Sequence, residues 1–241
     1  MDIRIFKNEA EIGKAAGQLF CDAVKENPSC VLGLATGATP VPTYNYMVEE
    51  YKAGNVSFKD ITTFNLDEYC DLPKEHKNSY YSFMFENLFS KIDVNADNVN
   101  FLDGNTDDPE AESARYAEAI ASKGGIDVQL LGIGRNGHIG FNEPDAELER
   151  FTHLVELTPD TIEANSRFFA SEAEVPKHAL TMGIHSVFKA RKILLLASGK
   201  NKAAAINALV KSNITTACPA TLLCLHPDVT VICDEDAYSL V

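Results

Sequence analysis

Long apolar runs are missing from this sequence. The longest strongly apolar block, around Ile193 to Ala197, is far too short to cross a bilayer. The N-terminus, MDIRIFKNEA, carries charges where a signal peptide needs an apolar core, so a cytoplasmic location is expected. Basic residues are scarce as well: 21 Lys and Arg stand against 35 Asp and Glu, a formal net charge of −14. That balance repels nucleic-acid phosphates and anionic lipid headgroups at long range, so no nucleic acid and no membrane is expected as a partner. A few placed Lys, Arg and backbone N–H groups can still make a local positive pocket for a small anion. The six cysteines form no C-x-x-C pair and no dense secreted-scaffold spacing, and they read as reduced thiols. No Pro/Ser-rich linker, charge block or fixed-period repeat divides the chain, which reads as a single domain over residues 1–241.

What is present is globular in proportion, 45% hydrophobic and 23% charged. Short runs rich in Val, Ile and Leu recur at Ile3–Phe6, Cys30–Ala35, Ile61–Leu66, Val99–Leu102, Val128–Ile133, His153–Leu157, Ala179–Met182, Lys192–Ala197 and Val229–Cys233, and most read as strands. Helical spacing appears between many of them, at Glu9–Lys25, Thr43–Ala53, Ser79–Phe89, Pro109–Ala121 and Lys202–Val210. The alternation marks βαβ units and predicts a doubly wound α/β fold with a mostly parallel sheet, with one or two antiparallel edge strands. Asp145–Arg150 is the candidate mobile loop.

In such a sheet the ligand sits beyond the carboxyl ends of the strands, and four strand-to-helix loops there carry chemistry. The first, Thr36-Gly37-Ala38-Thr39 before Pro40, suits a phosphate: glycine allows close approach, two hydroxyls can donate, and a helix N-terminus follows. It is neither a P-loop nor a dinucleotide fingerprint, and an ordinary Thr-capped turn reads the same. The second delivers Asn65, Asp67 and Glu68. Adjacent residues on an extended backbone face opposite sides, so only one of the two acids faces a pocket, where partial burial suits general-base work on a carbon acid.

The third loop sets Gly132, Gly134, Gly137 and Gly140 around Asn136, His138 and Glu143. His138 can carry a proton between two oxygens, with Asn136 and Glu143 fixing its orientation. No second histidine lies at ligand spacing, so no metal is expected, and no G-x-S-x-G elbow supports covalent acyl chemistry. The fourth loop opens a helix with Lys200 and Lys202, point charges for a phosphate, and Arg167 in TIEANSRFF is a second candidate anion ligand.

Together, LGLATGATP, FNLDEY, LPKEHKNSYYSFM, GIGRNGHIGFNEP, NSRFF, VPKHALTMGI and HPDVTVICDE resemble the glucosamine-6-phosphate deaminase (isomerase) family over nearly the whole chain. The resemblance implies a Rossmann-like three-layer α/β/α sandwich and conversion of glucosamine 6-phosphate and water to fructose 6-phosphate and ammonia, without an organic cofactor. It implies Asp67 as the base moving a proton from C2 to C1, and His138 as the ring-opening acid/base with Asn136 and Glu143 as its supports. Thr36, Gly37, Ala38, Thr39, Arg167 and Lys202 correspond to the phosphate site.

Three departures from the family pattern stand out. Many members have Asp where this chain has Asn136, which leaves support of an imidazolium to Glu143. Ala38 replaces a common second glycine. The chain stops at Val241 without the longer tail of allosteric hexameric members, whose basic effector positions are here His153 and Val155, so a monomer or small homo-oligomer with hyperbolic kinetics is expected. Two other readings compete. A 6-phosphogluconolactonase would typically carry Asp-Glu-Arg and Gly-His-Thr where this chain has Asp67-Glu68-Tyr69 and Gly137-His138-Ile139. A non-catalytic sugar-phosphate sensor would be joined to a DNA-binding module.

Overall fold

Strands buried at nearly every position need cover on both faces, and β2 (Val31–Leu34), β6 (Val128–Gly132), β9 (Lys192–Ala197) and β10 (Val229–Asp234) are of this kind. In the computed structural model, which describes residues 1–159, 161–163, 165–211 and 213–241, they form the centre of a seven-stranded sheet. β1 (Asp2–Phe6), β3 (Thr62–Asn65) and β5 (Val99–Asn100) complete it, in the order β1-β10-β9-β6-β2-β3-β5. Every neighbouring pair is parallel. One face carries a core that includes Phe64, Leu131, Ile193, Leu195 and Val231, the other a core that includes Leu32, Leu34, Leu130, Leu194 and Ile232. The second lies under α1 (Glu9–Glu26), α2 (Val41–Lys52) and α3 (Tyr80–Asn87), which supply Phe20, Met47 and Met84; α4 (Pro109–Ser122) and α7 (Ala203–Lys211) supply Tyr116 and Ile206 to the first.

The expected antiparallel strands exist, but not on the edge of this sheet. β4 (Asp67–Tyr69), β7 (His153–Glu156) and β8 (His178–Thr181) form a separate antiparallel sheet in the order β4-β8-β7. Leu66 is the hinge between the two sheets: its N–H donates to Leu34 O at 2.9 Å, and its carbonyl accepts from the N–H of Met182 at 2.9 Å. One residue later the chain has left β2 and pairs with β8, so Asp67 stands where the sheets diverge. The strand expected over Val99–Leu102 stops at Asn100, because α4 side chains take the next backbone groups: Arg115 donates to Phe101 O, and Glu112 accepts from the Asp103 N–H. α5 (Pro159–Ser166) ends one residue before Arg167, and α6 (Ile184–Phe188) was not legible as a helix.

β2 leads on to β3, whereas β6 leads to β9 on its other side, so the order in which strands are added reverses between the adjacent parallel strands β2 and β6. The loops leaving their carboxyl ends, Ala35–Pro40 and Ile133–Pro144, therefore part and open a crevice.

Candidate active site

A cavity of about 560 Å³ fills that crevice, lined by all of Thr36 to Thr39 and by Asp67, Asn136, His138, Arg167 and Lys202. Of the residues that the family resemblance assigns to the site, Glu143 alone does not line it and stands behind His138; Asn65, Glu68 and Lys200, carried by the same loops, do not line it either. Asp145–Arg150 does not line it; the Glu149 and Arg150 carbonyls accept from the N–H groups of Ile184 and His185.

The strand geometry resolves the choice between the two acids. Glu68 points away from the cavity and accepts from the N–H groups of Tyr69, Tyr80 and Tyr81 at 2.9 Å each, which places a carboxylate on the N-terminus of α3. Asp67 faces the cavity, 6% exposed, and among the described residues no hydrogen bond reaches its carboxylate. Burial, and next the charge of Glu68, push its pKa from the ordinary 3.8 up to about 8. A carboxylate so placed is a poised proton acceptor.

His138 is held from two directions. Its Nδ1 lies 3.1 Å from Glu143 Oε2, and its backbone N–H donates to Asn136 Oδ1 at 3.2 Å. Glu143 is itself built in: Asn136 Nδ2 donates to Oε2 at 2.7 Å, and Thr161 Oγ1 donates to Oε1 at 2.6 Å. Burial would raise the Glu143 pKa, but the bonds from His138, Thr161 and Asn136 and the attraction of a charged imidazole outweigh it and hold it at about 2. An ionised Glu143 fixes the Nδ1–H tautomer and leaves Nε2 for chemistry. Asn136 thus acts on Glu143 and on the loop backbone, not on the ring. Gly134 makes room for the ring, since a Cβ there would lie 2.4 Å from its Nδ1. The loop is anchored at its far side, where Phe141 N–H donates to Thr181 Oγ1 and the buried Asn142 donates to Ile139 O and Met182 O.

Cations gather in the same cavity. Burial first, then the charges of Arg167 and Arg135, lower the Lys202 pKa, so three positive side chains act on one region beside Thr36–Thr39. There Gly37 takes a φ of +100°, and among the described residues the N–H groups of residues 36 to 39 donate to no backbone acceptor. Those groups precede α2, whose N-terminus carries no side-chain cap. Two of the expected details shift: α2 begins at Val41 rather than Thr43, and Lys202 lies in a 3₁₀ turn, Lys200–Lys202, before α7.

A family model for glucosamine-6-phosphate isomerases and 6-phosphogluconolactonases matches residues 9–232. The chain belongs to this family. Within it, the chain is 52% identical over its full length, and over 95% of the relative's, to a glucosamine-6-phosphate deaminase of Thermoanaerobacter pseudethanolicus. It is 49% identical to the deaminase of Halothermothrix orenii, with both chains covered completely. Among solved structures it is similar to a monomeric glucosamine-6-phosphate deaminase, with a TM-score of 0.97 and 46% identity over the whole of both chains. The 6-phosphogluconolactonase of Trypanosoma cruzi, at 20% identity and a TM-score of 0.79, shares the fold.

Three residues lining the cavity escaped the sequence reading. Arg135 lies inside the quoted glycine loop, where its charge is easily passed over beside His138. Thr161, the second anchor of Glu143, is 18 residues away in sequence and has no local signal. Tyr80 forms part of the cavity wall and stacks on Phe141 with ring centroids 6.2 Å apart.

Proposed function

We propose that this chain deaminates glucosamine 6-phosphate, giving fructose 6-phosphate and ammonia by aldose–ketose isomerisation and hydrolysis. The observation that carries this reading is a single cavity joining a buried carboxylate with no hydrogen bond among the described residues, a carboxylate-backed histidine and a group of cations. The sugar phosphate is anchored by the Thr36–Thr39 N–H groups, Arg167 and Lys202, far from the reacting carbons, so that its binding energy fixes register for the chemistry. His138, its Nδ1 held by Glu143, moves a proton between ring oxygens and opens the pyranose. Asp67 takes the C2 proton, made acidic by the adjacent C1 carbonyl, and returns it to C1 through an enediol-type intermediate that still carries the amine. The resulting C2 ketimine adds water and expels ammonia.

The lactonase reading has no use for a carbon-acid base, and the relatives near 50% identity are deaminases. The chain works in the cytoplasm as a single-domain monomer on a free sugar phosphate, with hyperbolic saturation and no response to N-acetylglucosamine 6-phosphate. Similarity to a monomeric deaminase supports the monomer, and no helix among the described residues is long and apolar enough to cross a membrane. The test is ammonia release from glucosamine 6-phosphate, with 6-phosphogluconolactone hydrolysis in parallel. Ammonia without lactonase turnover is expected; lactone hydrolysis alone would overturn the reading.

A further inference from the structure

Arg135 stands between Gly134 and Asn136 in the loop that carries His138, lines the cavity, and places its charge on the same region as Arg167 and Lys202. We propose that Arg135 is a further arm of the anion site, exchanging Glu163 for the phosphate of the incoming substrate. The proposal rests on the sugar-phosphate reading given above.

Several observations converge on it. Like charges facing one space repel one another, and a doubly charged phosphate monoester relieves that repulsion more than any monoanion. Among its interactions, Arg135 Nη2 lies 3.8 Å from Glu163 Oε2, with half of the Arg135 side chain and most of Glu163 exposed. An exposed pair at that separation is worth little and exchanges readily, whereas a guanidinium can grip two phosphate oxygens at once through its planar fork. Glu163 sits on α5, the helix whose Thr161 holds Glu143 and which leads directly into Arg167. Glu163 can give way to phosphate while Thr161, on the same helix, keeps its bond to Glu143.

The test measures inorganic phosphate binding by calorimetry, and steady-state kinetics with glucosamine 6-phosphate, for the full chain and for Arg135→Gln, Arg135→Lys and Glu163→Gln. Arg135→Gln is expected to weaken phosphate and raise KM about tenfold while kcat falls less than threefold. Arg135→Lys should lie between, because a point charge keeps the attraction and loses the fork. Glu163→Gln removes a competing carboxylate and should tighten phosphate and lower KM. These opposite signs are the signature that a purely structural role would not produce. Unchanged phosphate affinity in Arg135→Gln, a collapse of kcat without a change in phosphate affinity, or a shift of both variants in the same direction would overturn the proposal. If the phosphate shifts appear in a protein that releases no ammonia, the deaminase reading fails and the assignment of Arg135 stands.

Discussion

Glu143 takes three side-chain contacts through its two oxygens, from His138, Asn136 and Thr161, and all three serve to hold it against the His138 ring. Its expected consequence is specific. Glu143→Gln keeps the shape but puts a neutral amide against Nδ1, so the tautomer is no longer dictated by charge, and kcat should fall about a hundredfold with KM little changed. Steady-state kinetics checks this; an equal loss through KM would place Glu143 in substrate binding instead. Asn136 shows why the residue scale was only partly legible. Its proximity to His138 in sequence suggested direct support of the ring, yet its amide turns to Glu143 and its carbonyl to the His138 N–H. Direction of a side chain within a glycine loop depends on backbone angles such as the +84° φ of Gly137, which spacing does not disclose.

At the scale of elements, apolar runs ending in chemically loaded loops located β2, β3 and β6 to within a residue or so, because strands covered on both faces advertise themselves. The same logic could not separate Asp67 from Glu68. That choice depends on β4, three residues long and paired to a strand more than a hundred positions away, and no local pattern encodes such a pairing. Nor did β7 and β8 reveal that they leave the main sheet. The loop after β6 has its own prediction. A Cβ at Gly134 would intrude on the His138 ring at 2.4 Å, so Gly134→Ala must rotate the imidazole off Glu143. The variant should fold, retain phosphate binding and lose most of its kcat; near-normal turnover would mean that the ring position is less constrained than the packing indicates.

For the whole molecule, two of the perturbed carboxylates, Glu143 and Asp67, act on stability with opposite signs. Glu143, held at about 2, stabilises the fold at neutral pH, and that contribution fades as pH drops from its ordinary range near 4.5 towards 2. Asp67, raised from 3.8 to about 8, holds a proton in the native state that the unfolded chain has given up, so stability declines as pH rises between those values. Asp67→Asn should abolish this decline and raise stability at pH 8 by roughly a few kcal/mol, measured by urea unfolding at several pH values; an unchanged pH slope would deny that Asp67 is buried as described. The fold was the most legible level of all, since the alternation of strand and helix follows from burial alone. The cavity was legible through its loops, and what remained hidden were contacts made across long separations, Thr161 to Glu143 above all.

Stability lost by burying an acid without a partner makes sense only if the acid works there as a base, and the account turns on that point. The most direct measurement follows the hydrogen at C2 of glucosamine 6-phosphate in deuterated solvent, with the unaltered protein and with Asp67→Asn, alongside calorimetric binding of the sugar phosphate. The account predicts loss of C2 exchange in Asp67→Asn with binding retained. Exchange that continues in the variant, or binding that disappears with it, would contradict the assignment of Asp67 as the carbon-acid base.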